Sequence, residues 1–174
     1  MIIVTTGTML PFDRLVRAMD EWVAHHPHEQ AFAQIGNGAY EPRHMEWVRF
    51  LAPSEFTRQV KRSALIVAHA GTGSFFLAAE TCKPLVMLPR LAANGEHTTD
   101  HQVHTARWLC DKPGVYIAMT ERELPVAIAK ARVGDPVASQ RTAYAPEEFL
   151  QRIRRCLVDP ELPPIPGKAR KGSR

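Results

Sequence analysis

No stretch of this 174-residue sequence approaches the roughly 18 uninterrupted apolar residues of a membrane span, so the chain is not expected to cross a bilayer by itself. Cysteine is scarce: Cys82, Cys110 and Cys156 are odd in number and lack metal-ligand spacing. Neither a disulfide framework nor a zinc site is indicated, and the three read as reduced thiols in core or half-buried positions. The start, "MIIVTTGTMLPFD", has no basic region ahead of its apolar residues and no small-residue cleavage site. A secretory signal is therefore not expected, and a cytoplasmic location is. No basic stripe with interleaved aromatics runs through the folded part, which argues against nucleic-acid binding.

What is present suits one globular domain. The apolar fraction is 45%, and the length allows a real core but not two ordinary domains. The formal charge is +4, part of it from the tail "GKARKGSR", which holds four basic residues and follows the proline-rich "DPELPPIPG". This end cannot bury apolar surface, so the domain is placed at residues 1–158 and the stretch 159–174 is expected to be disordered. A solvated tail is the plain reading; contact with an anionic membrane surface, at roughly 1 kcal/mol per basic residue, is the other.

Strand patterns alternate with helical ones. "MIIVTT", "QAFAQIG", "MEWVRFL", "ALIVAHA", "PLVMLP" and "VYIAMT" read as strands. Between and after them, "PFDRLVRAMDEWVAHH", "PSEFTRQVKRS", "TGSFFLAAETC", "HTTDHQVHTARWLCD", "ERELPVAIAKAR" and "APEEFLQRIRRCLV" read as helices. Phe12, Leu15, Val16, Met19 and Val23 form the buried stripe of the first helix, and Ser54 is a candidate N-cap of the second. Near-continuous apolar strands separated by helices predict an α/β fold: a single doubly wound, Rossmann-like parallel sheet covered on both faces. Trp22, Trp47, Phe50 and Phe56 are assigned to its core, with a partner-facing patch as the alternative.

In such a sheet, ligands bind beyond the carboxyl ends of the strands. Three turns fall there: "TTGTMLPFD", "HAGTGS" and "PRLAANGEHTTDHQ". In the second, Gly71 and Gly73 permit close approach to the main chain, while Thr72, Gly73 and Ser74 put free N–H groups at a helix start. That favours a phosphate, although a tight turn with Thr72 or Ser74 merely capping reads equally from these residues. No Gly-Lys-Ser/Thr follows, so the turn is not a P-loop, and Phe76 stands where a dinucleotide motif needs its third glycine. The third turn crowds Glu96, His97, Asp100, His101, Gln102 and His104 into nine residues. Asp100 and Gln102 suit vicinal hydroxyls such as a sugar presents. A polar helix cap and a metal pair, His97 with His101, remain as alternatives, though the glutamate of the zinc-protease motif is missing.

"VTTGTMLPFDRLVRAMDEW", "IVAHAGTGSFFLAAETCKPLVMLPR" and "GEHTTDHQ" together resemble the donor-binding half of glycosyltransferase family 28, of the GT-B class. In particular the chain is similar to the short catalytic subunits of bacterial exopolysaccharide glycosyltransferases and to the catalytic subunit of the two-chain dolichol-linked N-acetylglucosaminyltransferase. The resemblance implies the C-terminal half of a GT-B enzyme, working with a separate, membrane-anchored acceptor subunit on a lipid-linked saccharide at the inner face of the cytoplasmic membrane. It implies inverting transfer from a UDP-sugar, with no cofactor and no essential metal. Carried over residue by residue, Gly7, Thr8, His69, Gly71, Thr72, Gly73 and Ser74 hold the diphosphate and nucleotide. Asp100 and Gln102 bind the transferred sugar, with Glu96 and His97 beside the cleft.

Two departures from the family qualify this. Leu77 stands where the peptidoglycan and dolichol-pathway relatives carry a ribose-binding glutamate, which leaves Glu80 as the nearest carboxylate for the ribose. No general base is evident either; Glu96 and His97 are weak candidates, and the base is expected from the acceptor half. A nucleotide-sugar-binding module without catalysis is the alternative. A non-hydrolysing epimerase is a poorer one, because it needs both domains in one chain.

Overall fold

The computed structural model describes residues 1–138 and 147–158. Six strands, β1 (Ile2–Thr5), β2 (Ala31–Gln34), β3 (Glu46–Val48), β4 (Leu65–His69), β5 (Leu85–Leu88) and β6 (Val115–Ile117), form one sheet in the order β3-β2-β1-β4-β5-β6. Every pairing is parallel. The helices are α1 (Asp13–Ala24), α2 (Pro53–Arg62), α3 (Thr72–Thr81), α4 (His101–Leu109) and α5 (Leu124–Val133). A further helix, α6 (Glu147–Val158), belongs to a separate compact unit. The doubly wound parallel sheet expected from the apolar strands is thus the fold.

Alternation along the strands divides the core in two. Ile2 and Val4 of β1 point to a cluster with Leu15, Met19 and Ile128 from α1 and α5. Ile3 points the other way, to Val60, Ala78 and Leu109 from α2, α3 and α4. With both faces covered, β1, β4 and β5 are buried almost throughout, which is why their sequences run apolar without alternation. The stripe expected on α1 is buried, from Phe12 through Val23. Asp20 on the same helix is 1% exposed. It accepts the amides of Arg43 (3.0 Å) and His44 (2.7 Å) and the Tyr40 hydroxyl (2.7 Å), so a single carboxylate fastens the long β2–β3 loop to α1.

Several local expectations are corrected. The third strand pairs only over Glu46–Val48; Arg49, Phe50 and Leu51 leave the ladder, and Phe50 is exposed rather than core. Trp22 is buried, and Trp47 and Phe56 are half-buried against the core. Ser54 does not cap α2: Ala52 is the N-cap and Pro53 occupies the first turn, where its missing N–H costs nothing. α4 begins at His101 because Ala92–Asn94 form a 3-10 turn, closed by Gly95 at φ +69°, ahead of a bend. Cys82 and Cys110 are exposed rather than core, since they take the C-cap positions of α3 and α4 at the surface. The 159–174 stretch and the Cys156 side chain lie outside the described residues. Among the described residues no helix is long and apolar enough to cross a membrane.

Candidate functional site: a cleft at the carboxyl edge of the sheet

β1 and β4 are neighbours, yet the chain leaves β1 through α1 toward β2 and leaves β4 through α3 toward β5. Diverging connections open a crevice above the carboxyl ends of these two strands. A cleft of about 670 Å³ lies there, and all three of the predicted turns reach it.

His69 ends β4 and forms the floor. Its ring fits between two glycines: a Cβ on Gly7 would stand 2.9 Å from Cε1, and a Cβ on Gly71 would stand 2.5 Å from Nε2. Gly7 also has φ +77°, which only glycine adopts freely. The Nδ1 atom is buried without a hydrogen-bond partner of normal geometry. Burial, and next the Arg90 charge, push the His69 pKa down to about 4, an interaction with the Thr5 backbone opposing them. The ring is therefore neutral near pH 7.

Gly71 is the N-cap of α3, and no side chain caps that end. The amides of Thr72 and Gly73 thus begin the helix with no intrahelical acceptor, at the positive end of its dipole. In front of Gly73 a Cβ would meet nothing within 4 Å, so this glycine faces room for a ligand. Ser74, by contrast, is buried, and its amide bonds back to the Gly71 carbonyl at 3.1 Å.

Arg90 adds a positive charge while only 2% exposed. Nη2 donates to the carbonyls of Thr6 (2.5 Å) and Leu10 (2.7 Å), and Nη1 to those of Pro11 (2.7 Å) and Glu96 (3.2 Å). The guanidinium also lies over the Phe12 ring. One side chain thereby joins the loop after β1 to the loop after β5, and its charge meets carbonyl dipoles instead of a carboxylate. Burial lowers its pKa, with Glu96 opposing, and an arginine remains charged regardless.

Gly7, Thr8, His69, Gly71, Thr72, Gly73, Ser74, His97 and Gln102 line the cleft; Glu80, Glu96 and Asp100 stand outside its lining. Glu80 sits in the last turn of α3, about 12 Å of helix rise from Thr72, while Leu77 faces the cleft. Glu96 is bound by Arg14 through both oxygens (2.7 and 2.8 Å) and accepts the Leu91 amide (2.9 Å). Burial would lower the Arg14 pKa, but Glu96 and Glu121 more than offset it. Asp100 holds the Ala92 amide at 2.8 Å. Gln102 is buried and accepts the Arg90 amide at 3.1 Å, so it fixes the start of α4 against β5. His97 accepts the Thr98 amide on Nδ1 (2.9 Å), which assigns the ring proton to Nε2. Nδ1 is thereby occupied. His97 and His101 are in edge contact, and among the described residues no group of three or more metal-ligating side chains gathers.

The other wall of the cleft is apolar. Phe50, Leu51, Pro53 and Phe56 come from the segment after β3 and the start of α2, where the chain departs from its strand and turns apolar side chains to the cleft. The only cue was an apolar tail on the "MEWVRFL" run, which reads as more strand.

Residues 1–153 match the glycosyltransferase family 28 C-terminal domain. The chain belongs to that family. No curated protein sequence matches this family 28 domain significantly. Among solved structures, it is similar to the "glycotransferase of kitacinnamycin" (17% identity, TM-score 0.58, covering 76% of this chain and 34% of that one). It is also similar to CalG4, the calicheamicin glycosyltransferase (16% identity, TM-score 0.54, covering 91% and 39%). The domain thus spans between a third and two-fifths of these GT-B glycosyltransferases and has the fold of their Rossmann-like C-terminal half.

Proposed function

We propose that this domain is the donor-binding, catalytic subunit of an inverting glycosyltransferase that takes a UDP-sugar and glycosylates a lipid-linked saccharide in exopolysaccharide assembly. The acceptor site belongs to a separate, membrane-anchored subunit, which holds this chain at the inner face of the cytoplasmic membrane. The observation that carries the reading is the uncapped α3 N-terminus opening into a family 28 cleft beside buried Arg90 and neutral His69. Open donors, a helix dipole and a fixed cation suit a diphosphate in its bound state and as a leaving group, without an essential metal.

In this reading the acceptor hydroxyl attacks the anomeric carbon from the face opposite the diphosphate. The diphosphate departs into the donors of Thr72 and Gly73. His97 and Gln102 border the transferred sugar on the α4 side. With Glu96 tied to Arg14 and Nδ1 of His97 occupied, the base that takes the hydroxyl proton comes from the acceptor subunit. The same observation gives the alternative, a nucleotide-sugar-binding module without catalysis, its support.

Calorimetric titration with UDP, UDP-glucose, UDP-galactose, UDP-glucuronic acid and UDP-N-acetylglucosamine, with Gly71→Asp as control, tests the donor site. Binding that the substitution abolishes supports it, and absence of binding up to about 10 mM, with the acceptor subunit absent or co-expressed, refutes it. Transfer by the co-expressed pair, lost in the Gly71→Asp pair, separates an enzyme subunit from a binding module.

A further inference from the structure

The cleft changes chemistry along the edge of the sheet. Its middle, at the ends of β1 and β4, holds His69, Arg90 and the first amides of α3. On the α4 side it is polar, with His97, His101, Gln102 and Thr105. On the α2 side it is apolar: Phe50, Leu51, Pro53 and Phe56, joined by Leu77 from α3. Phe56 and Leu77 pack on the same core cluster, so this wall is anchored in the fold.

Among the described residues, no aspartate or glutamate lines the cleft. A carboxylate is the side chain best able to accept hydrogen bonds from both hydroxyls of a vicinal diol, and the lining offers none. Gln34 of β2 also lines the cleft, and its Oε1 accepts the Leu51 amide at 3.0 Å, where it pins the segment that carries the aromatic residues.

This inference rests on the donor-site reading above. With the diphosphate in the middle and the transferred sugar against the polar α4 side, the nucleoside lies on the apolar wall. We propose that this wall recognises the nucleoside by its flat, apolar surface and does not read the ribose 2′-hydroxyl, so that ribose and 2′-deoxyribose nucleoside diphosphates are accepted alike. A site built to hydrogen-bond a hydroxyl rejects the analogue lacking it by as much as about 10⁴-fold, because its own polar groups are then left unpaired. A wall of Phe50, Pro53, Phe56 and Leu77 has no such group to strand.

The test is a parallel titration of the full chain with UDP and 2′-deoxy-UDP to about 10 mM, read by NMR or calorimetry so that millimolar affinities register. The expected result is 2′-deoxy-UDP binding as tightly as UDP within about threefold, or more tightly. A 2′-deoxy-UDP affinity lower by more than about threefold overturns the inference while leaving the donor-site reading intact. If neither nucleotide binds, with the acceptor subunit absent or co-expressed, the donor-site reading falls and takes this inference with it. The variant Leu77→Glu supplies the missing carboxylate at a half-buried position facing the cleft, and is expected to favour UDP by about tenfold or more. A folded Leu77→Glu protein whose preference is unchanged would put the nucleoside elsewhere and overturn the assignment; should the variant misfold, the comparison on the unaltered chain decides alone.

Discussion

Gly71 and His69 are matched by shape: a Cβ on the glycine would lie 2.5 Å from Nε2 of the imidazole. Gly71 has φ −92° and ψ 146°, a conformation open to any residue, so the demand for glycine is one of contact and not of backbone strain. Gly71→Ala is expected to cost about 1–3 kcal/mol in chemical unfolding, the range for overpacking. In a His69→Ala background the same substitution should cost under about 0.5 kcal/mol, because the ring it would strike is gone. Additive costs in that double-mutant cycle would refute the pairing.

The depressed pKa of His69 fixes the sign of a pH effect. The unfolded chain takes up this proton near pH 6.5 and the native state only near pH 4, so the unfolded state binds more protons between the two. His69 therefore supports stability fully above about pH 6.5 and loses that support as the pH falls toward 4, by an amount of order 3 kcal/mol. The measurement is the imidazole titration by NMR, in which His69 is expected to remain neutral at pH 5, together with a weaker acid dependence of stability in His69→Gln. A ring that titrates near pH 6.5 would contradict the burial and the Arg90 charge that set its value.

Arg90 holds four carbonyls from two loops. Arg90→Ala strands them in a buried place and is expected to destabilise by about 3 kcal/mol or more. Arg90→Lys keeps the charge but loses the planar fork, and should recover less than half of that loss. Both variants are expected to weaken nucleotide binding, since the loop bearing Gly7 and Thr8 loses its tether. Thermal unfolding and a UDP titration on the same samples check the pair of effects.

Glu96 is tied to Arg14 on both oxygens, so its loss should be felt in stability more than in ligand binding. Glu96→Gln is expected to lower stability by about 1–3 kcal/mol while changing UDP affinity less than about threefold. A large loss of affinity at unchanged stability would place the carboxylate in the cleft after all.

Legibility in the sequence followed the range of the interactions. β1, β4 and β5 were plain because burial on both faces demands an unbroken apolar run. The α1 stripe was plain because helical spacing repeats within one turn. β3 was overextended because Phe50 and Leu51 are apolar for the sake of the cleft rather than the ladder, and residue type alone does not separate those two reasons. Ser54 misled as a cap because Pro53 already satisfies the helix start by lacking an N–H. The glycine turn was found, but not why Gly71 must be glycine.

By itself, the sequence determined the doubly wound sheet, the three turns at its carboxyl edge and their order along the chain, since periodicity, glycine placement and capping residues act over a few neighbours. Only the tertiary structure decided which residues of those turns share a cleft. It took Glu96 into an ion pair with Arg14, set Asp100 against Ala92, left Glu80 a helix length from the uncapped start of α3, and brought Leu77 and Phe56 into one wall. These outcomes depend on contacts between residues tens of positions apart, whose partners appear only when the strands fix the order β3-β2-β1-β4-β5-β6 and with it the distances between loops.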